Sequence, residues 1–326
     1  MNLEDYYSKL SKLWEKLNLL RKEDKIKSVE ILAFDNFWYT INKKNLPGIR
    51  IKLENTQKVG ENIFPKAKGW EIIFGQNIIE MHLNNKNHKD FFIKIVNLII
   101  AKIYFNKLSG LKSIRLFFEE LNSGKDFFED EDIPKKLTPE SQIGLFGEMV
   151  VMSKVLTKKI SSKNSLLFWT GPFKEHDFTT DKILIETKTT VSESKKISTS
   201  STNQISPKFE KKLFICFIQL NKNSSGISLN QIIDEFLEKL KIESNLLVNE
   251  FLLKLARARY FDIHRDHYHQ KYSVDKLNYY EVRDDFPYIK KVEIPDEISD
   301  LSMTYKIDLD KCEDFRIDED QLLNKI

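Results

Sequence analysis

Apolar side chains recur at helical spacing through residues 3–20, with lysine and glutamate at most positions between them. That periodicity predicts an amphipathic helix with one core-facing stripe. Packing of this stripe inside its own domain is favoured over a dimer seam. The stripe consists of Leu3, Tyr6, Tyr7, Leu10, Leu13, Trp14, Leu17 and Leu20.

The pattern then changes to short β-prone runs between residues 26 and 83, separated by Asn, Pro and Gly. Runs at 31–34, 37–41, 49–53 and 70–74 predict a small antiparallel sheet. Helical stretches follow at 89–108 and 113–121, and an acidic loop at 126–132.

A helix with a clear start is predicted from Thr138 to about residue 156, because Thr138 can cap it and a proline occupies its first turn. Gly144 and Gly147 each cost about 1 kcal/mol in a helix, so we expect another backbone or a ligand to come close to them. Glu148 lies on the apolar face, where a carboxylate needs a partner. A buried salt bridge and a metal ion both satisfy that need.

The central stretch, residues 169–190, predicts a β-hairpin. In its second strand, Glu186 and Lys188 share a face with Leu184, because alternate side chains point to opposite faces. A turn near Thr180 would place Asp177 opposite Leu184 and diagonal to Glu186, at about 7–8 Å. Two carboxylates at that distance can hold one hard cation, and a lysine beside them suits metal-dependent phosphodiester cleavage.

The rest of the chain continues an alternation of strands and helices. A continuous apolar run at 213–220 predicts a strand buried on both faces, and helices follow at 229–242 and 246–259. Strand-like pieces at 278–282, 291–294 and 303–307 form the tail. We therefore expect an α/β (α+β mixed) fold: a mixed sheet flanked by helices in a core at 131–260, an N-terminal β-rich and helical region at 1–130, and a β-rich extension at 261–326.

Composition limits the function classes. Of 326 residues, 41% are hydrophobic, and the net charge of +3 gives no global signal for nucleic acid. Any DNA contact must then come from local groups. The side chains predicted to contact DNA are Lys195, Lys196, Gln204, Arg257 and Arg259. Two distant cysteines exclude a disulfide framework and a zinc cluster. No signal peptide or membrane span is recognisable, so a cytoplasmic protein without membrane contact is expected.

The segment Gln-Ile-Gly-Leu-Phe-Gly-Glu at 142–148, His-Asp-Phe at 176–178 and Ile-Glu-Thr-Lys-Thr-Thr at 185–190 together resemble the PD-(D/E)XK motif protein family of the restriction endonuclease-like superfamily. The resemblance implies that Asp177 and Glu186 bind Mg²⁺, with Mn²⁺ as an alternative, and that Glu148 completes the metal shell. It also implies that Lys188 orients or deprotonates the attacking water. His176 stands where the motif has its leading proline, a position that makes no contact required by the chemistry.

These observations predict a metal-dependent DNA endonuclease. The resemblance alone suggests a restriction or phage-defence component that works with other subunits, and a homodimer is expected because such nucleases often pair to cut both strands. The alternative is a catalytically inactive nuclease-like subunit that binds DNA or a protein partner, with its acids in a salt-bridge cluster around Lys188. A structural subunit assembled through the amino-terminal helix is a third hypothesis.

Overall fold

A computed structural model describes residues 3–19, 27–31, 36–53, 64, 68–122, 135–171, 174–199, 204–206, 210–289, 294 and 304–326. The predicted acidic loop at 126–132 and the predicted strand at 291–294, except residue 294, lie outside the described residues.

Helices and strands alternate in blocks along the chain. The helices are α1 (Leu3–Leu19), α2 (Lys89–Phe105), α3 (Gly110–Asn122), α4 (Pro139–Val150), α5 (Ser162–Phe168), α6 (Leu229–Glu243), α7 (Asn245–Arg257) and α8 (Glu319–Leu323). The strands are β1 (Lys27–Glu30), β2 (Phe37–Ile41), β3 (Pro47–Lys52), β4 (Trp70–Phe74), β5 (Ile78–Leu83), β6 (Phe178–Thr179), β7 (Ile183–Thr190), β8 (Lys196–Thr199), β9 (Lys212–Ser228), β10 (Lys271–Val282), β11 (Tyr305–Asp308) and β12 (Arg316–Ile317).

The chain divides into two compact units. Unit 1 comprises residues 1–135 and 244–257, and unit 2 comprises residues 136–243 and 258–326. The domain boundaries predicted near residues 130 and 260 stay predictions.

Unit 1 contains a five-stranded antiparallel sheet in the order β1-β2-β3-β5-β4. This sheet was expected from the short β-prone runs, although β1 and β5 were not among them. Of the predicted run at 31–34, only Ile31 is among the described residues, and it follows the end of β1. The stripe of α1 is buried at Tyr6, Leu10, Trp14 and Leu17 in the same hydrophobic core as α2 and the sheet. The helix therefore packs within its own unit, as predicted.

Unit 2 is built around a mixed five-stranded sheet in the order β12-β10-β9-β7-β6. Strands β7 and β9 are parallel, whereas the other neighbouring pairs are antiparallel. The first part of β9, residues 213–220, is buried throughout, as expected of a central strand. A second sheet pairs β8 with β11. The mixed sheet with flanking helices confirms the predicted fold class.

Helix α4 begins as predicted but ends earlier. The backbone N–H of Ser141 donates to the Thr138 hydroxyl at 3.2 Å, which is the expected N-terminal cap. The α-helix stops at Val150 and continues as a π-helical turn over Val151–Val155. Within that turn the Ser153 hydroxyl donates to the Met149 carbonyl at 2.6 Å, and such side-chain bonds compete with the regular helical pattern.

Among the described residues, no helix has both the length and the apolar character that crossing a membrane requires.

Candidate active site

The hairpin that carries the candidate site has a different register from the predicted one. The Thr180 N–H donates to the Ile183 carbonyl at 2.9 Å, so the turn is centred on Asp181 and Lys182. Thr179 pairs with Leu184, and the prediction that Asp177 lies opposite Leu184 is therefore wrong by two residues. The physical reason is the Thr180 hydroxyl, which accepts the N–H groups of Lys182 and Ile183 and fixes where the turn closes.

Glu186 and Lys188 share one face of β7 and are in direct contact. The Lys188 Nζ lies 2.8 Å from the Glu186 Oε1. The Gln204 amide bridges the pair, because its Nε2 donates to Glu186 Oε1 at 2.6 Å and its Oε1 accepts from Lys188 Nζ at 3.1 Å. Gln204 lies in a turn. Acid, amide and lysine thus form a closed triangle of contacts.

Asp177 is held at the same end of the hairpin by a backbone N–H group and a threonine hydroxyl. The N–H of Thr187 donates to Asp177 Oδ2 at 2.7 Å. On the other side, the Thr170 hydroxyl contacts the carbonyl oxygens of His176 and Asp177. Asp177 therefore has a fixed backbone and one fixed carboxylate oxygen.

Glu148 reaches the site from α4, which packs closely on β7. A Cβ on Gly147 would lie 1.8 Å from the Thr189 hydroxyl oxygen, so only glycine allows this approach. The close neighbour is a side chain, whereas another backbone or a ligand was expected. A Cβ on Gly144 would meet nothing within 4 Å, so no neighbouring backbone explains that glycine. The Glu148 carboxylate accepts a hydrogen bond of 2.7 Å from the indole Nε1 of buried Trp169.

The three carboxylates have raised pKa values. Burial is the largest cause at each, and it raises the pKa of Glu186 to about 8 and that of Asp177 to about 6. Burial and the charge of Asp177 raise the pKa of Glu148 well above its ordinary value, although the Trp169 hydrogen bond lowers it. The charge of Asp177 also raises the pKa of Glu186, and Lys188 offsets part of the rise. Three acids that act on one another are concentrated in one place.

These residues fit a hard divalent cation by donor chemistry. Carboxylate oxygens are the ligands that Mg²⁺ prefers, and a cation would relieve the repulsion between the acids. The Glu186 Oε2 is buried and has no hydrogen-bond partner among the described residues, so one donor oxygen is available. As they stand, however, no three His, Cys, Asp or Glu side chains of the described part of the chain are grouped closely enough to hold a metal ion.

The side chains proposed to contact DNA have different surroundings. Gln204 lies between Glu186 and Lys188. Lys195 pairs with Asp310 at 2.8 Å and with Glu313 at 3.4 Å, whereas Lys196 is exposed at the start of β8. Of the two arginines, Arg257 belongs to unit 1, where its guanidinium lies 3.3 Å from Glu120, and Arg259 is exposed with a φ of 59°.

Two contributors to the site were missed in the sequence analysis. A buried tryptophan needs an acceptor for its indole N–H, so Trp169 beside a buried acid was a usable signal, although nothing in the sequence identified Glu148 as the acceptor. The Thr187 N–H gave no signal, because a backbone donor is present at nearly every position.

Comparison with known proteins identifies the family. Residues 10–310 match the family model described as "Putative PD-(D/E)XK family member, (DUF4420)". No curated protein and no solved structure gave a significant match. The match covers most of the chain and includes all four residues of the candidate site. The chain belongs to this PD-(D/E)XK family.

Proposed function

We propose that the protein is a metal-dependent DNA endonuclease that hydrolyses phosphodiester bonds. The observation that carries this proposal is the concentration of Glu148, Asp177 and Glu186, all with raised pKa values, beside Lys188. Burying three acids together opposes stability, and such arrangements are typical of functional sites. Membership of a nuclease-like family supports the same conclusion.

In this proposal the oxygens of Glu148, Asp177 and Glu186 hold Mg²⁺ or Mn²⁺. The chemistry that such a cation supplies when bound is a lowered pKa of water and neutralisation of charge on the phosphate. The protein's part is to keep the ligand oxygens aligned. The indole of Trp169 orients Glu148, and the Thr187 N–H orients Asp177.

Lys188 is the proposed catalytic cation. Its ammonium group can orient the attacking water, or its neutral amine can accept a proton from that water, since it lies on the same strand face as Glu186. Gln204 would hold both side chains in place before DNA arrives, because its amide contacts each of them. That arrangement reduces the motion needed to reach the reactive geometry.

DNA contacts are proposed for Lys195, Lys196, Gln204, Arg257 and Arg259. Since Lys195 is paired with Asp310 and Glu313, it would have to exchange these carboxylates for a phosphate. We also propose a role in restriction or phage defence, together with other subunits, and a homodimer. These proposals rest on the family resemblance alone.

A second candidate function is a nuclease-like subunit that binds DNA or a protein partner without cutting. It is favoured by the present engagement of Glu186 Oε1 with Lys188 and Gln204. It is also favoured because, within the described residues, no three His, Cys, Asp or Glu side chains are grouped closely enough to hold a metal ion. In that case the acids and the lysine would be a structural salt-bridge cluster.

A plasmid assay with the full chain separates the two candidates. The wild type is incubated with Mg²⁺ or Mn²⁺, with and without EDTA, beside Glu186→Ala and Lys188→Ala. Asp181→Ala and Lys182→Ala are the matched controls, because they remove the same kinds of charge from exposed positions of the same hairpin.

A metal-dependent nuclease cuts only without chelator, loses cutting in the two site variants and keeps it in both controls. Cutting that survives Glu186→Ala in a folded protein would overturn the site assignment. DNA binding that is insensitive to EDTA, with no cutting by the wild type in either metal, would favour the second candidate.

A further inference from the structure

A cavity of about 640 Å³ opens in unit 2 beside the candidate active site. The segment directly before Asp177 contributes Lys174 and Glu175 to its lining, and the hairpin contributes Thr179 and Leu184. Leu184 lies on the same face of β7 as Glu186 and two residues from it, which is about 6.6 Å along a strand. The cavity and the carboxylates are therefore immediate neighbours.

A further contact connects the cavity wall to the site. The hydroxyl of Thr170, which also lines the cavity, contacts the carbonyl oxygen of Asp177. A molecule in the cavity would touch the segment that positions Asp177.

The size of the cavity restricts what it can hold. Cavities of about 300–1,000 Å³ typically bind small organic molecules, which is the size class of a single nucleotide. A phosphate group alone would leave most of the volume empty. Duplex DNA keeps its bases stacked inside the helix and presents only backbone and groove edges, so it cannot fill a cavity of this kind unless a nucleotide leaves the stack.

The lining offers a partner for each part of a nucleotide. Lys174 and Lys211 supply cations for phosphate, and Lys211 is held in place by donating to the Thr180 carbonyl at 2.7 Å. The buried side chain of Leu184 supplies an apolar surface for a base. The carboxylates of Glu175 and Glu210 can accept hydrogen bonds from amino groups on the edge of a base.

We propose that this cavity receives one unstacked nucleotide of the DNA strand whose phosphate lies at Glu148, Asp177 and Glu186. The inference rests on the proposed function and narrows its substrate class to DNA that is single-stranded, or mispaired, at the cleavage point. Extracting a paired base requires unstacking and unpairing, and this cost is least for a mismatched or already unpaired nucleotide. Unpaired DNA should therefore be preferred.

The test measures binding without metal, so that it does not depend on cleavage. Fluorescence anisotropy of full-length Glu186→Gln in EDTA compares a fully paired duplex, the same duplex with one mismatch, and the single strand. Thr179→Trp is added to fill the cavity, and Ser224→Trp places the same indole on an exposed position of β9 as the control. Thermal unfolding of each variant establishes that it is folded.

We expect the mismatched duplex to bind at least about 10-fold more tightly than the paired duplex. Thr179→Trp should abolish that preference, and Ser224→Trp should keep it. If Thr179→Trp fails to fold, Lys174→Ala decides, because this exposed side chain lines the cavity and its loss should weaken binding of unpaired DNA several-fold. Equal affinities for paired and mismatched DNA overturn the inference, as does a preference that survives in folded Thr179→Trp. Where Lys174→Ala decides, an unchanged affinity for unpaired DNA overturns it.

The inference and the proposed function fail in different ways. Metal-dependent cleavage that requires Glu186 but treats paired and unpaired DNA alike would overturn the cavity assignment and leave the nuclease intact. A wild type that never cuts, together with a mismatch preference that Thr179→Trp removes, would overturn the nuclease activity and leave the cavity as a binding site for an unpaired nucleotide.

Discussion

The buried polar cluster around Asn97 in unit 1 and the candidate site in unit 2 are built differently. In unit 1, buried Asn97 accepts the indole N–H of Trp14 at 2.9 Å and the hydroxyl of Tyr39 at 2.8 Å. Its amide nitrogen donates to the Ser11 hydroxyl at 3.3 Å. This cluster is neutral, and Asn97 uses both ends of its side chain.

In unit 2, a tryptophan again donates its indole N–H to a buried oxygen, but the acceptor is the carboxylate of Glu148. Two more acids lie within electrostatic range, and the Glu186 Oε2 has no hydrogen-bond partner among the described residues. An indole N–H thus belongs to a fully hydrogen-bonded neutral network in unit 1, and to a charged network with one unbonded oxygen in the described part of unit 2. A complete network stabilises the fold, whereas an incomplete one keeps donor atoms available for a ligand at a cost in stability.

The largest expected effect is on catalysis. Glu186→Gln should lower metal-dependent cleavage by on the order of 10³-fold, since a neutral amide is a much weaker ligand than a carboxylate for the cation that would neutralise charge on the phosphate. The folded state should survive, because the glutamine keeps the shape of the side chain. Cleavage rates under single-turnover conditions, with Asp181→Asn as the control, measure the effect. A loss below tenfold would remove Glu186 from the proposed metal shell.

A substitution in the Asn97 cluster should reduce stability, whereas Glu186→Gln should reduce cleavage and leave the fold intact. Asn97→Leu leaves the buried donors of Trp14 and Tyr39 without acceptors, which should lower the free energy of unfolding by about 3–4 kcal/mol. Urea denaturation measures this loss. Adding Tyr39→Phe to Asn97→Leu removes one orphaned donor and should restore part of the stability. If the second substitution gives no recovery, the cluster does not stabilise unit 1 through these hydrogen bonds.

The pH dependence of stability should come from unit 2. The pKa of Glu186 is raised from 4.5 to about 8, so between these values the folded protein keeps a proton that the unfolded chain releases. The free energy of unfolding should therefore fall as pH rises through that window, by roughly 2–3 kcal/mol between pH 5 and 8. Urea denaturation in EDTA should show a clearly smaller fall in Glu186→Gln. The same slope in both proteins would contradict this assignment.

Adding metal should partly reverse that loss. A divalent cation bound only by the folded protein adds about 1.4 kcal/mol at ten times its Kd. At pH 8 we expect Mg²⁺ to raise the melting temperature of the wild type, and EDTA to remove the rise. Glu186→Gln should respond weakly, whereas Asn97→Leu, although less stable, should show the full increment. An equal response of wild type and Glu186→Gln would place the binding of metal elsewhere.

The smallest effects concern how Glu148 is positioned. Gly144→Ala should increase stability by about 1 kcal/mol through helix propensity, because its Cβ meets open space. Gly147→Ala should decrease stability, since its Cβ would collide with Thr189 and push α4 away from β7. Thermal unfolding separates the two variants. Similar shifts for both would mean that α4 does not approach β7 as closely as the structure has it.

Local patterns were sufficient to predict much of this architecture. The stripe of α1, the Thr138 cap and the alternation that unites Glu186 with Lys188 depend on near neighbours in the chain, which is why they were predictable. Gly147 was recognisable because a helix-interior glycine has a cost that needs a reason.

The remaining features depend on distant residues. The hairpin register depends on hydrogen bonds to the Thr180 hydroxyl. The sequence has no Asn-Gly pair that would have predicted where this turn lies. Strand β8 was not among the predicted strands, and it forms by pairing with β11, more than a hundred residues later. Likewise, Arg257 was proposed as a DNA contact from sequence alone, and its ionic partner Glu120 comes from a separate helix.

The central position of β9 also determines when the site can form. Glu186 pairs in parallel with Ile215, and Ile215 pairs on its other side with Tyr280, so the strand that supports the site is completed late in synthesis. Non-local pairings of this kind slow folding, because loop-closure entropy must be overcome before the contacts form. A nascent chain that has emerged only as far as β7 lacks this support. We therefore expect the site to assemble only after β10 has left the ribosome.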